Sequence, residues 1–259
     1  MIFRTERLAF HIGKVPLAQI NNPGACRRLF MPAMREGVFD SYDTARCVAS
    51  AATSFGVMYA MSGGRFIPAV LGTFAWNGLI FGRTVLSEAI PSLLLTKKWS
   101  FDSMPWPKFT GQMFYSDASL IVLGGSMTVA EGVTDHLEME ASAPKTLKTQ
   151  GYIIGTINGA ADSGMRRLLG FSFSVAVLDF FRDIVMYQGS KYAQSTWQND
   201  WNMDPWSNIT FALVSKVIGE TYAGTVEMLD SYNKYAARCG KPTWQQSLKD
   251  LYQRSLIWK

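Results

Sequence analysis

The sequence predicts an all-α, multi-helix integral membrane protein with about three to five membrane helices. Three observations support this class. Two uncharged runs, 47–64 and 66–82, are separated only by Arg65, and each approaches the ~20 residues that cross a hydrocarbon core of about 30 Å. Both runs are rich in Gly, Ala and Ser. Charged residues make up only 17% of the chain, against about 25% in an ordinary soluble domain.

Composition sets the limits of this class. A length of 259 residues allows one domain or at most two, and the low charge content excludes disorder and a coiled coil. The mean hydropathy of +0.04 is too low for a polytopic protein with short loops. We therefore expect a basic extramembrane arm over residues 1–43, a helical membrane domain over 44–230, and a polar C-terminal tail over 231–259.

The basic N-terminal arm indicates where in the cell the protein resides. Residues 1–39 contain six Lys or Arg against two Glu, with no apolar core of a secretory signal. An Arg-rich, acid-poor segment is typical of mitochondrial targeting, so we expect residence in the mitochondrial inner membrane. The three cysteines, Cys26, Cys47 and Cys239, lie far apart with no CxxC spacing. They are predicted to be free thiols rather than a zinc or redox site.

The two uncharged runs predict a hairpin of antiparallel membrane helices. Ser62-Gly63-Gly64-Arg65 followed by Pro68 is a helix stop and then a helix start. Arg46 precedes the hairpin, and Arg83 follows it. This asymmetry predicts that both ends lie on the positive side of the membrane, which is the matrix side. A buried helical hairpin of a soluble protein is the alternative.

Residues 91–116 are predicted to be a connector, because three prolines interrupt them and six aromatic residues crowd them. Aromatic side chains beside lysines suit the depth of the lipid headgroups. We expect a basic collar here that binds an anionic phospholipid such as cardiolipin, with no other cofactor. Its residues are Arg46, Arg83, Lys97, Lys98 and Trp99. The alternative is that they set orientation or pair with acids of a neighbouring subunit.

The second half of the chain predicts further helices. One begins at Asp117 as its N-cap and becomes acidic before residue 140. Residues 151–187 are Gly-rich and predict close helix packing. The intervening stretches 141–150 and 191–203 are expected to be loops.

A last hydrophobic helix is expected from about Pro205 to Leu229. The tail after it is expected to hold one soluble helix that follows Pro242, with Thr243 as its cap.

No catalytic, metal-binding or nucleic-acid-binding motif is complete in the sequence. The segment 159–164 has P-loop spacing, but Met165 stands where the phosphate-binding lysine belongs. Glu131, Asp135 and Glu138 share one helix face, without the paired ExxH motifs of a carboxylate-bridged metal site. No basic run is interleaved with aromatic residues as a nucleic-acid groove requires. We therefore expect no enzyme, no metal, no nucleic acid and no small-molecule substrate.

Two stretches of the second half resemble the translocase (Tim) family of the mitochondrial inner membrane, in particular its branch that is accessory to respiratory complex I. The segment Leu168–Met186 is followed by a polar Gly-Ser-Lys turn, and Asp204-Pro205-Trp206 precedes another helix. Gly155-Thr156-Ile157-Asn158-Gly159 is similar to the glycine pattern of the first helix in that family. The resemblance implies inner-membrane residence and helix–helix scaffolding.

The leading functional hypothesis is a non-catalytic accessory subunit of a respiratory complex, foremost complex I or its supercomplex. Its partners would be other subunits and membrane lipid. An accessory subunit of the ATP synthase membrane region and a protein-import channel subunit are alternatives. Transport would need a polar face formed by Asp179, Arg182, Asp183, Lys216 and Glu220. One continuous polar surface would favour transport, and scattered charges would favour subunit contacts.

Overall fold

The computed structural model describes residues 41–100, 104, 106–139, 144–168, 173–198 and 206–257. These residues form seven α-helices and contain no β-strand, so the all-α prediction is confirmed. Most of the arm and the Asp204-Pro205 pair lie outside the described residues, and their predicted roles stay predictions.

Six helices are long, and a shorter one follows them. They are α1 (Ser41–Met61), α2 (Phe66–Thr96), α3 (Trp106–His136), α4 (Pro144–Leu168), α5 (Phe173–Gln198), α6 (Ser207–Arg238) and α7 (Trp244–Ile257). At 1.5 Å per residue, the longest of them reach about 45 Å.

Successive long helices run in opposite directions. The first turn contains Gly63 and Gly64, whose φ values of +64° and +78° suit glycine, and it reverses the chain between α1 and α2. The predicted helical hairpin is therefore confirmed as a fold. Farther along the chain, Gln150 bonds to Thr134 at 3.1 Å and Asn158 bonds to Ser126 at 2.7 Å. This pairing places α4 antiparallel to α3.

The closest helix pairing joins α4 to α5 through glycines. A Cβ atom at Gly155 would lie 2.7 Å from the Cα of Ile184, and one at Gly159 would lie 2.8 Å from the carbonyl oxygen of Phe180. Only glycine leaves room for backbones at this distance. The Gly-rich pattern of 151–159 therefore packs as the sequence predicts.

The helix α2 is apolar on its exposed face and mixed on its buried face. The buried face is apolar at Ala69, Trp76 and Ile80 and polar at Thr84, Ser87 and Glu88, and the exposed side chains are large and hydrophobic. They are Phe66, Ile67, Leu71, Phe74, Phe81, Leu86, Ile90, Leu93 and Leu94. The exposed face of a helix on the surface of a soluble protein is instead polar and charged.

Two helices are long and apolar enough to cross a membrane among the residues that the structure describes. They are Phe66–Thr96 and Phe109–His136, with mean hydropathies of 1.3 and 1.2. The first arm of the hairpin, α1, is not one of the two. This helix begins before the uncharged run and includes Asp43 and Arg46, which together with its Ser and Thr residues lower its hydropathy.

The prediction of a connector over 91–116 is wrong at both ends of that range, because helices extend into it from either side. Pro91 lies inside α2, which continues to Thr96. An interior proline costs about 3 kcal/mol, but the last turns of α2 are held by α6, where Ser231 donates to Glu88 at 3.0 Å. At the other end Pro107 lies in the first turn of α3, where a proline favours helix initiation.

Other boundaries also differ from the expectation. Asp117 is not an N-cap, because it lies inside α3, buried, and accepts a hydrogen bond from Ser54 at 2.9 Å. Pro144 begins α4 rather than a loop, since the first turn of a helix leaves its backbone N–H groups unbonded in any case. The helix α5 continues to Gln198, and α6 continues past residue 230 to Arg238.

Candidate functional site

A polar chamber of about 150 Å³ lies between five of the long helices. It is lined by side chains of α2, α3, α4, α5 and α6, and of its nine charged residues four are buried and five are half-buried. The charged residues around it are Arg83, Asp162, Arg166, Asp179, Arg182, Asp183, Lys216, Glu220 and Glu227. We call this cavity the charged chamber.

One half of the charged chamber is an ion-pair network between α2 and α6. The Nη1 atom of Arg83 lies 2.5 Å from Glu220 Oε2, and its Nε atom lies 3.5 Å from Glu227 Oε2. Lys216 Nζ lies 2.5 Å from Glu220 Oε1 and 4.5 Å from the centre of the Trp76 ring. Arg83 and Lys216 therefore share the carboxylate of Glu220 between them.

Residues of α3 complete this first network. Lys216 Nζ also donates to the hydroxyl of Ser116. The amide of Gln112 donates to Glu227 Oε1 at 2.7 Å and accepts from Thr84 at 2.8 Å. Gln112 thus joins α2, α3 and α6, because its amide is both a donor and an acceptor.

The other half of the charged chamber joins α4 to α5. Arg182 contacts three carboxylates, at 2.7 Å to Asp183, 2.8 Å to Asp162 and 2.9 Å to Asp179. Arg166 lies 3.3 Å from Asp179 and 3.7 Å from Asp162. Two guanidinium groups therefore hold three carboxylates where the glycine contacts bring α4 and α5 together.

The charges of the chamber nearly balance. Four basic and five acidic side chains line it, and every one of these bases lies within 4 Å of a carboxylate. Taking an unpaired charge out of water costs several kcal/mol. The mutual pairing is therefore what allows so many ionised groups to share the bundle interior.

The lining residues of the charged chamber include partly exposed side chains on α5 and α6. The most exposed is Tyr222 on α6, and the side chain of Arg182 on α5 keeps 29% of its surface. Two donors inside it, the indole N–H of Trp76 and the hydroxyl of Tyr115, have no hydrogen-bond partner among the described residues. A cavity of this size has room for on the order of ten water molecules, each of which needs ~10–15 Å³.

The five side chains predicted to form a polar face all line this one chamber. Asp179, Arg182 and Asp183 approach it from α5, and Lys216 and Glu220 approach it from α6. Sequence reasoning missed the contributions of Asp162, Arg166 and Glu227. A signal for the first two existed, because Asp162 and Arg166 stand four residues apart at the end of a Gly-rich helix.

The structure does not bring the predicted lipid collar together. Arg83 is a member of the charged chamber, and Arg46 is buried, donating to Thr110 at 3.4 Å with its guanidinium 5.8 Å from the Phe114 ring. Lys97 and Lys98 are exposed just beyond α2, and Trp99 is half-buried beside them. Lipid binding by these last three residues stays a prediction.

The remaining candidate groups form no second chemical site in the described part of the chain. Glu131, Asp135, His136 and Glu138 are exposed at the end of α3. No group of three or more His, Cys, Asp or Glu side chains within the described ranges is arranged to hold a metal ion. Cys47 and Cys239 are free thiols.

Comparison with known proteins leaves the site to be interpreted from its own geometry. No protein-family model matches the chain. No curated protein and no solved structure matches it either.

Proposed function

We propose that this chain is a non-catalytic accessory subunit of a large complex in the mitochondrial inner membrane. Respiratory complex I or its supercomplex is the first candidate host, and the membrane region of ATP synthase is the second. The observation that carries the proposal is the set of large apolar side chains exposed on the outside of the bundle, while paired charges lie inside it beside an apolar core.

The outer faces of the helices suit lipid or the helices of neighbouring subunits. Besides α2, the helix α5 exposes Leu178, Phe181 and Val185, at the spacing of three and four residues that defines one helix face. Single exposed hydrophobic residues are ordinary, but continuous apolar faces indicate contact with a membrane or a partner. The uncharged, small-residue helices and the basic arm of the sequence support the inner membrane as the location.

The paired charges of the chamber favour scaffolding over chemistry. Arg83 and Lys216 both form ion pairs with Glu220, and Arg182 forms ion pairs with three aspartates. In this arrangement each base ties two helices together, so the networks fix how α2, α4, α5 and α6 pack.

Native purification of the tagged chain tests this proposal. Mitochondria would be solubilised in mild detergent, the chain captured, and its companions identified by mass spectrometry and native gel electrophoresis. Alkaline extraction of the same mitochondria provides the membrane test. We expect the chain in the membrane pellet and in a band that contains complex I subunits. Recovery in the soluble fraction, or migration as an isolated chain, would contradict the proposal.

A transport subunit is the second candidate, and one observation favours it. The five polar side chains that a transport path would need form one continuous surface in the charged chamber rather than scattered contacts. Their convergence near the middle of α6 would place ionised groups inside the membrane, where such groups mark ion and substrate pathways.

Reconstitution separates the two candidates. The purified chain in a planar bilayer would show an ion conductance if the chamber is a path, and Arg182→Gln in its lining would change that conductance. Lys98→Gln, at an exposed site outside the chamber, is the matched control. Absence of any conductance from correctly folded protein would exclude the transport role and leave the scaffold.

A further inference from the structure

The C-terminal helix α7 differs from the other helices in how little of it contacts the bundle. Its first turn is attached to α6, because Asn233 bonds to the backbone N–H of Trp244 at 3.0 Å and to Gln245 at 3.1 Å. Thr243 and Gln246 form a capping box there, with hydrogen bonds of 3.3 and 2.8 Å, so the predicted Thr243 cap is confirmed. From Leu248 to Gln253 every residue is exposed.

One face of α7 is apolar and uncovered by the described chain. Leu248, Leu251 and Tyr252 are 55%, 62% and 65% exposed, and with Trp244 they stand at the i, i+4, i+7 and i+8 positions of one helical stripe. Asp250 stands on the opposite side of the helix. Exposure of such a stripe to water is unfavourable, because removing apolar surface from water lowers the free energy.

Charge and position indicate what covers this stripe. The sequence from Arg238 to Lys259 contains five Lys or Arg and one Asp. The helix starts at the same end of the bundle as the exposed Lys97 and Lys98, because Cys239 Sγ lies 3.9 Å from the carbonyl oxygen of Leu95. A short amphipathic helix with basic residues around an apolar stripe binds in the plane of an anionic membrane surface.

We propose that α7 lies on the membrane surface at this end of the bundle, with Leu248, Leu251 and Tyr252 among the acyl chains and Lys249 at the anionic headgroups. The occupant of its apolar face is the lipid of the bilayer that holds the bundle. This proposal rests on the proposed membrane residence of the chain. It differs from the expectation of a soluble tail helix, because the stripe is exposed and the basic residues complement an anionic surface.

The test uses the full chain in nanodiscs, with one introduced cysteine at a time in a background where Cys26, Cys47 and Cys239 are replaced by Ala. A fluorophore is attached at Leu251→Cys on the apolar face, or at Asp250→Cys on the opposite face as the matched control. Quenching is measured with a nitroxide carried on lipid at a shallow depth and with iodide in the water. The discs contain phosphatidylcholine alone or with phosphatidylglycerol.

We expect lipid-borne quenching at position 251 to exceed that at position 250 by about twofold or more, since an interfacial helix buries one face only. Lys241→Glu combined with Lys249→Glu should reduce this quenching in discs with phosphatidylglycerol more than in discs without it. Quenching at 251 by iodide alone would show a helix in solution. Protection of 251 from both quenchers would show that protein covers the stripe, and either result overturns the proposal.

A third labelled position distinguishes a failure of the surface-helix proposal from a failure of the proposed membrane residence. Phe74→Cys lies on the exposed apolar face of α2. Lipid quenching at position 74 without quenching at 251 would reject the surface helix and leave the proposed function standing. Absence of lipid quenching at both positions would reject both.

Discussion

Buried ion pairs are the residue-scale feature that most distinguishes this bundle. Arg83 is 9% exposed at its side chain, and its partners Glu220 and Glu227 are each 10% exposed. Removing one member of such a set strands the other charges in a medium of low polarity. The stability of the chamber therefore depends on complete networks rather than on any single pair.

Arg83→Leu should destabilise the protein by about 3–5 kcal/mol, because Glu220 and Glu227 lose the cation between them. The control is Arg65→Leu, at an exposed turn residue, which should change stability by less than about 0.5 kcal/mol. Denaturant unfolding in detergent, followed by circular dichroism, measures both. Equal effects of the two substitutions would show that the Arg83 pairs contribute nothing beyond a surface charge.

Gly155→Ala should destabilise the protein, because its methyl group would meet the Cα of Ile184 at 2.7 Å, and overpacking costs about 1–3 kcal/mol. Gly164→Ala on the same helix is the matched control, since no atom lies within 4 Å of its Cβ position. Alanine there should stabilise the helix by about 0.5–1 kcal/mol. The measurement is the unfolding midpoint of each variant in detergent, and a shift of the same sign for both would contradict the close contact of α4 with α5.

At the level of helix packing, the contact of α2 with α1 and α6 can be tested with a second pair of glycines, Gly72 and Gly78. Gly72→Leu would place atoms against Ile209 at 3.0 Å and Met58 at 3.2 Å, whereas Gly78 has no atom within 4 Å of its Cβ position. We expect Gly72→Leu to lower the yield of folded, monodisperse protein on size-exclusion chromatography. Gly78→Leu should leave that yield unchanged, although sequence alone gives no reason to separate the two. Equal losses of folded protein for the two variants would mean that α2 is not closely packed against α1 and α6 at Gly72.

Helix existence is predicted well by the sequence, and helix length is not. The Gly63–Gly64 turn and the Thr243 cap are local signals, and the structure has both where the sequence places them. Pro91 misleads because tertiary contacts of Glu88 with Ser231 and Tyr235 hold α2 across it. Pro144 is read as part of a loop but begins a helix, since a proline can either end a helix or start one.

At the scale of the whole molecule, the candidate site is only partly visible in the sequence. The five charged residues of α5 and α6 are recognisable because they interrupt hydrophobic runs. Arg83 is misassigned to the membrane surface because it follows an uncharged run of membrane length. Its partners Glu220 and Glu227 lie more than 130 positions away, and a parallel pairing of α2 with α6 has no local signature.

We propose that α2 crosses the membrane with its large apolar side chains facing lipid. If it does, Arg65, before the helix, and Lys98, after it, lie on opposite sides. Both residues are exposed, so either one can carry a label without disturbing the bundle.

Two-sided cysteine labelling of Arg65→Cys and Lys98→Cys in sealed inner-membrane vesicles measures this most directly. A membrane-impermeant maleimide is added before or after the vesicles are opened, in a background without the native cysteines. We expect that one position is labelled only from outside and the other only after opening. Labelling of both positions from the same side would show that α2 does not cross the membrane.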